Sequence, residues 1–360
     1  MKIGIILHPY GEKKPAGLSR YILDLTSSLL ENDKKNEYII YLKDKPEKMP
    51  VFKGSNWKVE VVGSGKFWLE IGLSKAPTAD IYVFNTPIMP FFFKPKKSVV
   101  IALDFAYRHF KSKNLKEFVF NKFLFFLNNF SFKRADAIVS ISEETKKDIL
   151  KLFDVSKQKI KVIYPGFKKI CSLPVREISL PEYFFLYVGV IKERKNLFNI
   201  VKGFREFKRS DKTDCKLVIA GKSGGEYYEK VLEFIKSEKI ESDVAFLGFI
   251  DDNELAIAYK KAIALVFPSL IEGFGFPVLE AMNCGLPVIT SKYGSLAEIA
   301  GSSGILVDPY NSGEISSAMK KIYSDNLLRY EMSSKGIIRA EEFSWQRSAE
   351  KFINLFENLQ

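Results

Sequence analysis

Apolar residues follow two alternating rhythms along this chain. Short, near-continuous apolar runs, typical of strands buried on both faces, alternate with stretches whose apolar positions recur every three to four residues. The strand-type runs are Lys2–Leu7, Tyr38–Leu42, Lys58–Val62, Asp80–Phe84, Val99–Leu103, Ala137–Ile141 and Ile160–Tyr164. A second set follows at Tyr183–Val188, Lys216–Ala220, Val244–Gly248, Ala264–Phe267 and Val288–Thr290. From Leu18 the helical rhythm puts Tyr21, Ile22, Leu25, Leu29 and Leu30 on one face. Further helices are predicted at Thr145–Leu152 behind the N-cap Ser142, and over Asp251–Lys261 behind Asp251 or Asp252. A brief one runs from Val278 to about Cys284, with Pro277 in its first turn and Gly285 just past its end. The last, amphipathic helix spans about Trp345 to Leu359. This alternation predicts an α/β chain of parallel sheets flanked by helices.

The 360 residues suffice for two domains with separate cores. The pattern divides them into an N-terminal domain over 1–166, a linker over 167–182 containing Pro174 and Pro181, and a second domain over 183–342. The helix in 343–360 follows. Hydrophobic content of 46% and charged content of 27% are those of a globular protein.

Net charge is +12, but residues 1–170 carry 31 Lys and Arg against 17 Asp and Glu, while 171–360 carry 24 against 26. A basic N-terminal half suits an anionic membrane surface, a phosphorylated acceptor or nucleic acid; a lysine-rich composition is the plainer alternative. Within it, residues 91–134 hold twelve Phe and ten Lys and Arg against two acidic residues. That mixture reads either as an interfacial amphipathic segment or as a core helix with basic residues at its edges. No apolar run reaches the roughly 18–20 residues that span a bilayer, and the opening MKIGIILHPY reads as a strand, not a signal peptide. The three cysteines lack metal or redox spacing, so they are expected to be reduced, buried small hydrophobes in a reducing, cytoplasmic compartment.

Candidate chemistry concentrates in IEGFGFPVLEAMNCGLPV, where Glu272 and Glu280 flank a glycine loop that feeds a helix. Backbone N–H groups and the positive dipole end suit a phosphate, and a carboxylate beside them accepts hydrogen bonds from sugar hydroxyls. The plainer alternative is an ordinary βα connection with solvated glutamates. Arg194 and Lys195 sit in a loop before a helix, where paired cations would neutralise a diphosphate leaving group or simply face solvent. Lys222 lies in another glycine turn, GKSGG, equally open to a nucleotide or to water. Gly63-Ser64-Gly65 lacks a third glycine and reads as a turn, which disfavours a Rossmann oxidoreductase.

The segment from Glu272 to Glu280 closely resembles the E-x7-E motif of retaining glycosyltransferases of the GT-B architecture, in the large family 4. GVIKERKN resembles that family's phosphate-binding loop of RKN type, AGLSRY its SGIGRY loop, and VVIALDFAYRHF its VVTIHDLSF stretch. The resemblance covers nearly the whole chain and is strongest over 183–310. It implies two Rossmann-like domains facing a cleft, with the nucleotide-sugar donor held mainly by the second and the acceptor by the first. The last helix is implied to cross back to the N-terminal domain. It also implies that Glu280 holds the donor ribose and that Glu272, with the amides of Gly273, Phe274, Gly275 and Phe276, holds the donor sugar. Arg194 and Lys195 are implied on the diphosphate, with Gly17 beneath the phosphates and Lys222 near the nucleotide. Asp104 is implied near the reacting centre, with Ser19, Arg20, Tyr107 and His109 on the acceptor side.

Three positions depart from the family pattern. Ser19 replaces a second glycine, Val190 replaces an arginine, and Leu103 replaces the histidine that precedes the Asp. His109 is read as an exposed loop histidine. The implied reaction moves a sugar from a nucleoside-diphosphate sugar, GDP-mannose as first guess, to a glycan or lipid-linked hydroxyl. Its setting would be cell-surface polysaccharide or lipopolysaccharide synthesis on the inner face of the membrane. No metal or other cofactor is implied, and no nucleic-acid partner is expected. The alternatives kept open are a catalytically altered transferase-like protein, motivated by Leu103, and a basic nucleic-acid-binding protein.

Overall fold

A computed structural model describes residues 1–10, 17–63, 65, 67–110, 112 and 114–360, with the backbone alone at 17–19. Gly11 to Ala16, the front of the AGLSRY loop, and Ser64 lie outside the described residues, as do the side chains of Gly17 and Ser19. The chain forms two units, Met1–Gly166 together with Phe343–Gln360, and Phe167–Glu342.

The first unit contains strands β1 (Lys2–Ile6), β2 (Glu37–Leu42), β3 (Trp57–Val61), β4 (Ile81–Phe84), β5 (Lys97–Ala102), β6 (Ala137–Ser140) and β7 (Ile160–Val162). All pair in parallel, in the order β3-β2-β1-β4-β5-β6-β7. Its helices are α1 (Gly17–Asn32), α2 (Leu73–Lys75), α3 (Ala106–His109), α4 (Leu115–Arg134) and α5 (Glu143–Leu152). The five apolar positions expected on one face of α1 are all buried. Ser142 caps α5 by accepting from the Thr145 N–H at 3.0 Å.

The second unit contains β8 (Phe184–Val188), β9 (Lys216–Ala220), β10 (Val244–Gly248), β11 (Ala264–Phe267), β12 (Val288–Ser291) and β13 (Ile305–Val307), again all parallel, in the order β10-β9-β8-β11-β12-β13. Helices α6 (Leu197–Ser210), α7 (Glu226–Ser237), α8 (Asp252–Lys261), α9 (Phe276–Asn283), α10 (Gly294–Ala300), α11 (Ser312–Ser324) and α12 (Asn326–Glu341) surround it. The strands are apolar throughout, FFLYV and ALVF for example, because helices cover both faces of a parallel sheet. The final helix, α13 (Trp345–Glu357), belongs to the first unit and packs on α1, with Trp345 edge-on to Tyr21 at 5.5 Å between ring centroids.

Three expectations need correction. Cys171 and Cys284 form a disulfide with Cα atoms 5.4 Å apart, and only Cys215 is a free, buried thiol, pushed up to about 12 by desolvation. The two partners are 113 residues apart in sequence, so no local spacing announced them. They meet because the short turn Ile170–Ser172 packs against α8 and α9. For the same reason residues 167–182 fold within the second unit, with Ile170 fully buried, where a linker was expected. Finally, 91–134 is not one amphipathic segment. It supplies strand β5, the short α3 and then α4, whose apolar side chains point in all directions. Phe132 is buried and Phe125 stacks on Phe153, whereas Phe120 is 61% and Phe123 56% exposed.

Candidate active site

In a doubly wound sheet, ligands collect beyond the carboxyl ends of the strands where the winding reverses. In the second unit that point lies between β8 and β11, adjacent strands whose connections leave in opposite senses. The loop after β8 carries Arg194 and Lys195, and the loop after β11 carries Glu272. Topology therefore brings together residues 78 apart: Arg194 Nη1 lies 3.0 Å from Glu272 Oε2, and Lys195 Nζ pairs with Glu272 Oε1. The side chains of Glu272 and Lys195 are 10% and 13% exposed, and that of Arg194 is 32% exposed. Arg194 Nη1 also donates to the Ile271 carbonyl at 3.3 Å, and Lys195 Nζ stands 4.9 Å from the centroid of the Phe267 ring. The three charges sum to one net positive, placed at the strand ends.

Asn196, the next residue, holds this loop in place. It adopts a left-handed conformation (φ 63°), is 2% exposed, and donates through Nδ2 to the carbonyls of Pro268 at 2.9 Å and Pro309 at 2.6 Å. Sequence reasoning missed this role, although asparagine is among the few residues that take this conformation readily. A second brace joins the loop after β8 to the GKSGG turn after β9. Ile191 N–H donates to the Lys222 carbonyl at 3.1 Å. The turn's Gly221 approaches so closely that a Cβ there would lie 1.9 Å from the Gly189 oxygen. The Lys222 side chain itself is exposed.

Beyond Glu272 the chain runs through Gly273 and Phe274 to Gly275, which has φ 130° and precedes α9. Phe274 is 2% exposed and meets Phe276 edge-on at 5.2 Å. Ser295 Oγ donates to the Glu272 carbonyl at 2.7 Å and so steadies the loop from α10. On α9, Glu280 is 7% exposed and accepts from the Tyr259 hydroxyl of α8 at 3.1 Å; it is not a solvated surface glutamate. Burial, and then the Glu272 charge, push the Tyr187 phenol beneath the site above its ordinary value. The arrangement gathers two cations, two carboxylates and a glycine-led helix start.

The remaining predicted residues lie in the first unit. Asp104 follows β5, is exposed, and accepts from the Ala106 N–H at 3.1 Å at the start of α3. Tyr107 is hydrogen-bonded to the Asn128 side-chain amide at 2.8 Å, and burial pushes its phenol up to about 12. His109 is not in a loop but ends α3, with Nε2 3.0 Å from Asp148 Oδ2 on α5. Arg20 is exposed on α1, in the same first turns as Gly17 and Ser19. Among the described residues no group of three or more His, Cys, Asp or Glu is placed to hold a metal ion, and no helix is long and apolar enough to cross a membrane.

Residues 174–339 match the family model of glycosyl transferases group 1. The chain carries that match within its second unit, and its two parallel sheets flanked by helices have the GT-B fold. It is 29% identical over 282 residues to the serotype-specific mannosyltransferase WbdA of Escherichia coli, covering 74% of this chain and 34% of WbdA. It is 29% identical over 239 residues to the O-antigen chain mannosyltransferase B of Escherichia coli, covering 64% of this chain and 62% of that protein. The chain therefore spans only part of the length of these relatives. The crystal structure of Anabaena Alr3699/HepE in complex with UDP shares the fold over the full length of both chains, with a TM-score of 0.76 at 16% identity.

Proposed function

We propose that this protein transfers a sugar from a nucleoside-diphosphate donor to a hydroxyl of a glycan or lipid-linked acceptor, with retention of anomeric configuration. The observation that carries the reading is the joint grip of Arg194 and Lys195 on Glu272 at the switch point of the second sheet. Two fixed cations beside a sugar-binding carboxylate are what a sugar diphosphate needs: charge for the leaving group, and an acceptor for the hydroxyls. In this reading Glu280 binds the ribose, Glu272 and the amides of 273–276 bind the sugar, and Arg194, Lys195 and the α9 dipole stabilise the departing diphosphate without a metal ion. Gly17 and Lys222 complete the donor side. The acceptor falls to the first unit, through Asp104, Ser19, Arg20, Tyr107 and His109. The anomeric C–O bond to phosphate breaks, the bond to the acceptor oxygen forms on the same face, and the acceptor proton passes to the leaving phosphate.

The relatives' names, a serotype-specific mannosyltransferase and an O-antigen chain mannosyltransferase, support a mannose donor, which we take to be GDP-mannose, and cell-surface polysaccharide as product. Calorimetric titration with UDP-, GDP- and dTDP-sugars tests this. GDP-mannose should bind best, Lys195→Ala should weaken binding, and NMR of the product should show the donor's anomeric configuration. Binding of none of these sugars, or an inverted product, overturns the reading.

A membrane-surface location is a second element of the proposal, favoured by α4. Its first half exposes Leu115, Phe118, Val119, Phe120 and Phe123 beside Lys116 and Lys122, the mixture that partitions into anionic lipid interfaces. Co-sedimentation with vesicles containing phosphatidylglycerol should succeed and should fail with neutral vesicles. Equal recovery with both would remove this element.

A further inference from the structure

Glu280 sits on the inner side of α9, and its carboxylate faces α8 rather than bulk water. There Tyr259, 1% exposed, places its hydroxyl 3.1 Å from Oε2. A glutamate side chain has three rotatable bonds, so a ligand that needs one orientation must otherwise bear the entropy of fixing it. We propose that Tyr259 is a positioning residue for nucleotide recognition: its hydroxyl locks the Glu280 carboxylate in the orientation that accepts hydrogen bonds from the donor's ribose hydroxyls. This rests on the reading that Glu280 binds ribose.

The support under Tyr259 is rigid. Helix α8 starts with a full capping box, Asp251 accepting from Glu254 N–H at 3.0 Å while Glu254 accepts from Asp251 N–H at 2.8 Å. Lys168 and Arg176 bind Asp252 and Asp251, each at 2.6 Å, and Cys171 is bonded to Cys284 at the end of α9. The two helices that present Tyr259 and Glu280 are thus clamped by the same segment, 168–176. Burial, followed by the Glu280 charge, keeps the phenol protonated well above its ordinary range, so it remains a donor at every physiological pH. A tyrosine retained only for packing would need neither the hydroxyl nor its alignment.

Calorimetric titration of the full chain tests the proposal, with GDP and UDP and their 2′,3′-dideoxy counterparts as probes. The wild type should bind the ribonucleotide about tenfold or more tightly than the dideoxy form, as expected for hydrogen bonds to a charged group. Tyr259→Phe should weaken ribonucleotide binding about fivefold to tenfold and leave the dideoxy form unaffected, shrinking that ratio. The ratio does not depend on the folded fraction, so partial loss of fold does not mimic the effect. Glu280→Ala should abolish the preference, and adding Tyr259→Phe to it should change nothing further. Equal weakening of both nucleotide forms by Tyr259→Phe would make Tyr259 merely structural and overturn the proposal. A preference that survives Glu280→Ala would instead overturn the ribose reading beneath it, as would failure of the wild type to bind either ribonucleotide.

Discussion

Arg194 Nη1 lies 3.0 Å from Glu272 Oε2, and this contact closes the candidate site of the second unit across two loops. The carboxylate also holds Lys195, so it pre-positions both cations before any ligand arrives. Fixed charges that need no reorganisation are the most effective stabilisers of a developing anion. Glu272→Gln should therefore lower kcat by about 10²–10³, the range for removing one preorganised electrostatic partner. It should also lower the unliganded melting temperature, because two partly buried cations lose their counter-charge. Added GDP should restore more of that loss in the variant than it adds to the wild type. Steady-state kinetics and thermal melts with and without nucleotide check this; an unchanged kcat would remove Glu272 from the site.

Asn196 should be as consequential for stability as for binding. Asn196→Ala removes two buried hydrogen bonds and forces alanine into a left-handed conformation, a loss of about 2–4 kcal/mol. Asn196→Gly tolerates the conformation but still loses the bonds, so it should be intermediate. Denaturant melts of the three proteins give the order directly, and a glycine variant weaker than the alanine one would contradict it.

The Gly189–Gly221 approach leaves no room for a side chain. In Gly221→Ala the new methyl would meet a backbone carbonyl, which cannot rotate away, so the two loops must part. We expect poor folding or a melting temperature several degrees lower, with nucleotide affinity reduced. The neighbouring Lys222→Ala, whose side chain is exposed, should fold normally. Parallel melts of the two variants decide between a loop effect and a general one.

The Cys171–Cys284 bond closes a loop across 113 residues and should stabilise the second unit by about 2–4 kcal/mol under oxidising conditions. Dithiothreitol should lower the wild-type melting temperature, while Cys171→Ser should start lower and ignore reductant. A wild type indifferent to reductant would show that the bond contributes nothing in solution.

A pH dependence follows from Asp33, which is 2% exposed in the first unit. Burial raises its pKa, but this is outweighed by the Tyr38 hydroxyl at 2.6 Å, the Asn36 amide at 2.7 Å and the backbone N–H groups of Lys35 and Asn36, so the carboxyl titrates below its ordinary value. A depressed folded pKa means that the unfolded chain binds the proton first. The stabilisation is complete above the unfolded value of about 3.9 and is lost as pH falls toward the folded one. Melting temperatures between pH 2 and pH 6 should therefore fall more steeply on acidification in the wild type than in Asp33→Ala. Parallel curves would remove the assignment.

The strands, the principal helices and the glycine loop between Glu272 and Glu280 are legible in the sequence because each rests on local chemistry. Continuous apolar runs mark strands covered on both faces, and the rhythm of Tyr21, Ile22, Leu25 and Leu29 marks a helix. Pro277 and Gly285 punctuate α9 through their own backbone preferences. What failed depends on partners distant along the chain. No spacing joins Cys171 to Cys284, and nothing in LAIAYKK marks Tyr259 as the neighbour of Glu280. Residues 91–134 show aromatic and basic character, but only packing separates the buried Phe132 from the exposed Phe120. Sequence also offered Arg194, Lys195 and Glu272 as candidates for one ligand, while their direct pairing with one another was not legible. That was decided by the parallel pairing of β8 with β11, since strand order alone determines which loops emerge side by side.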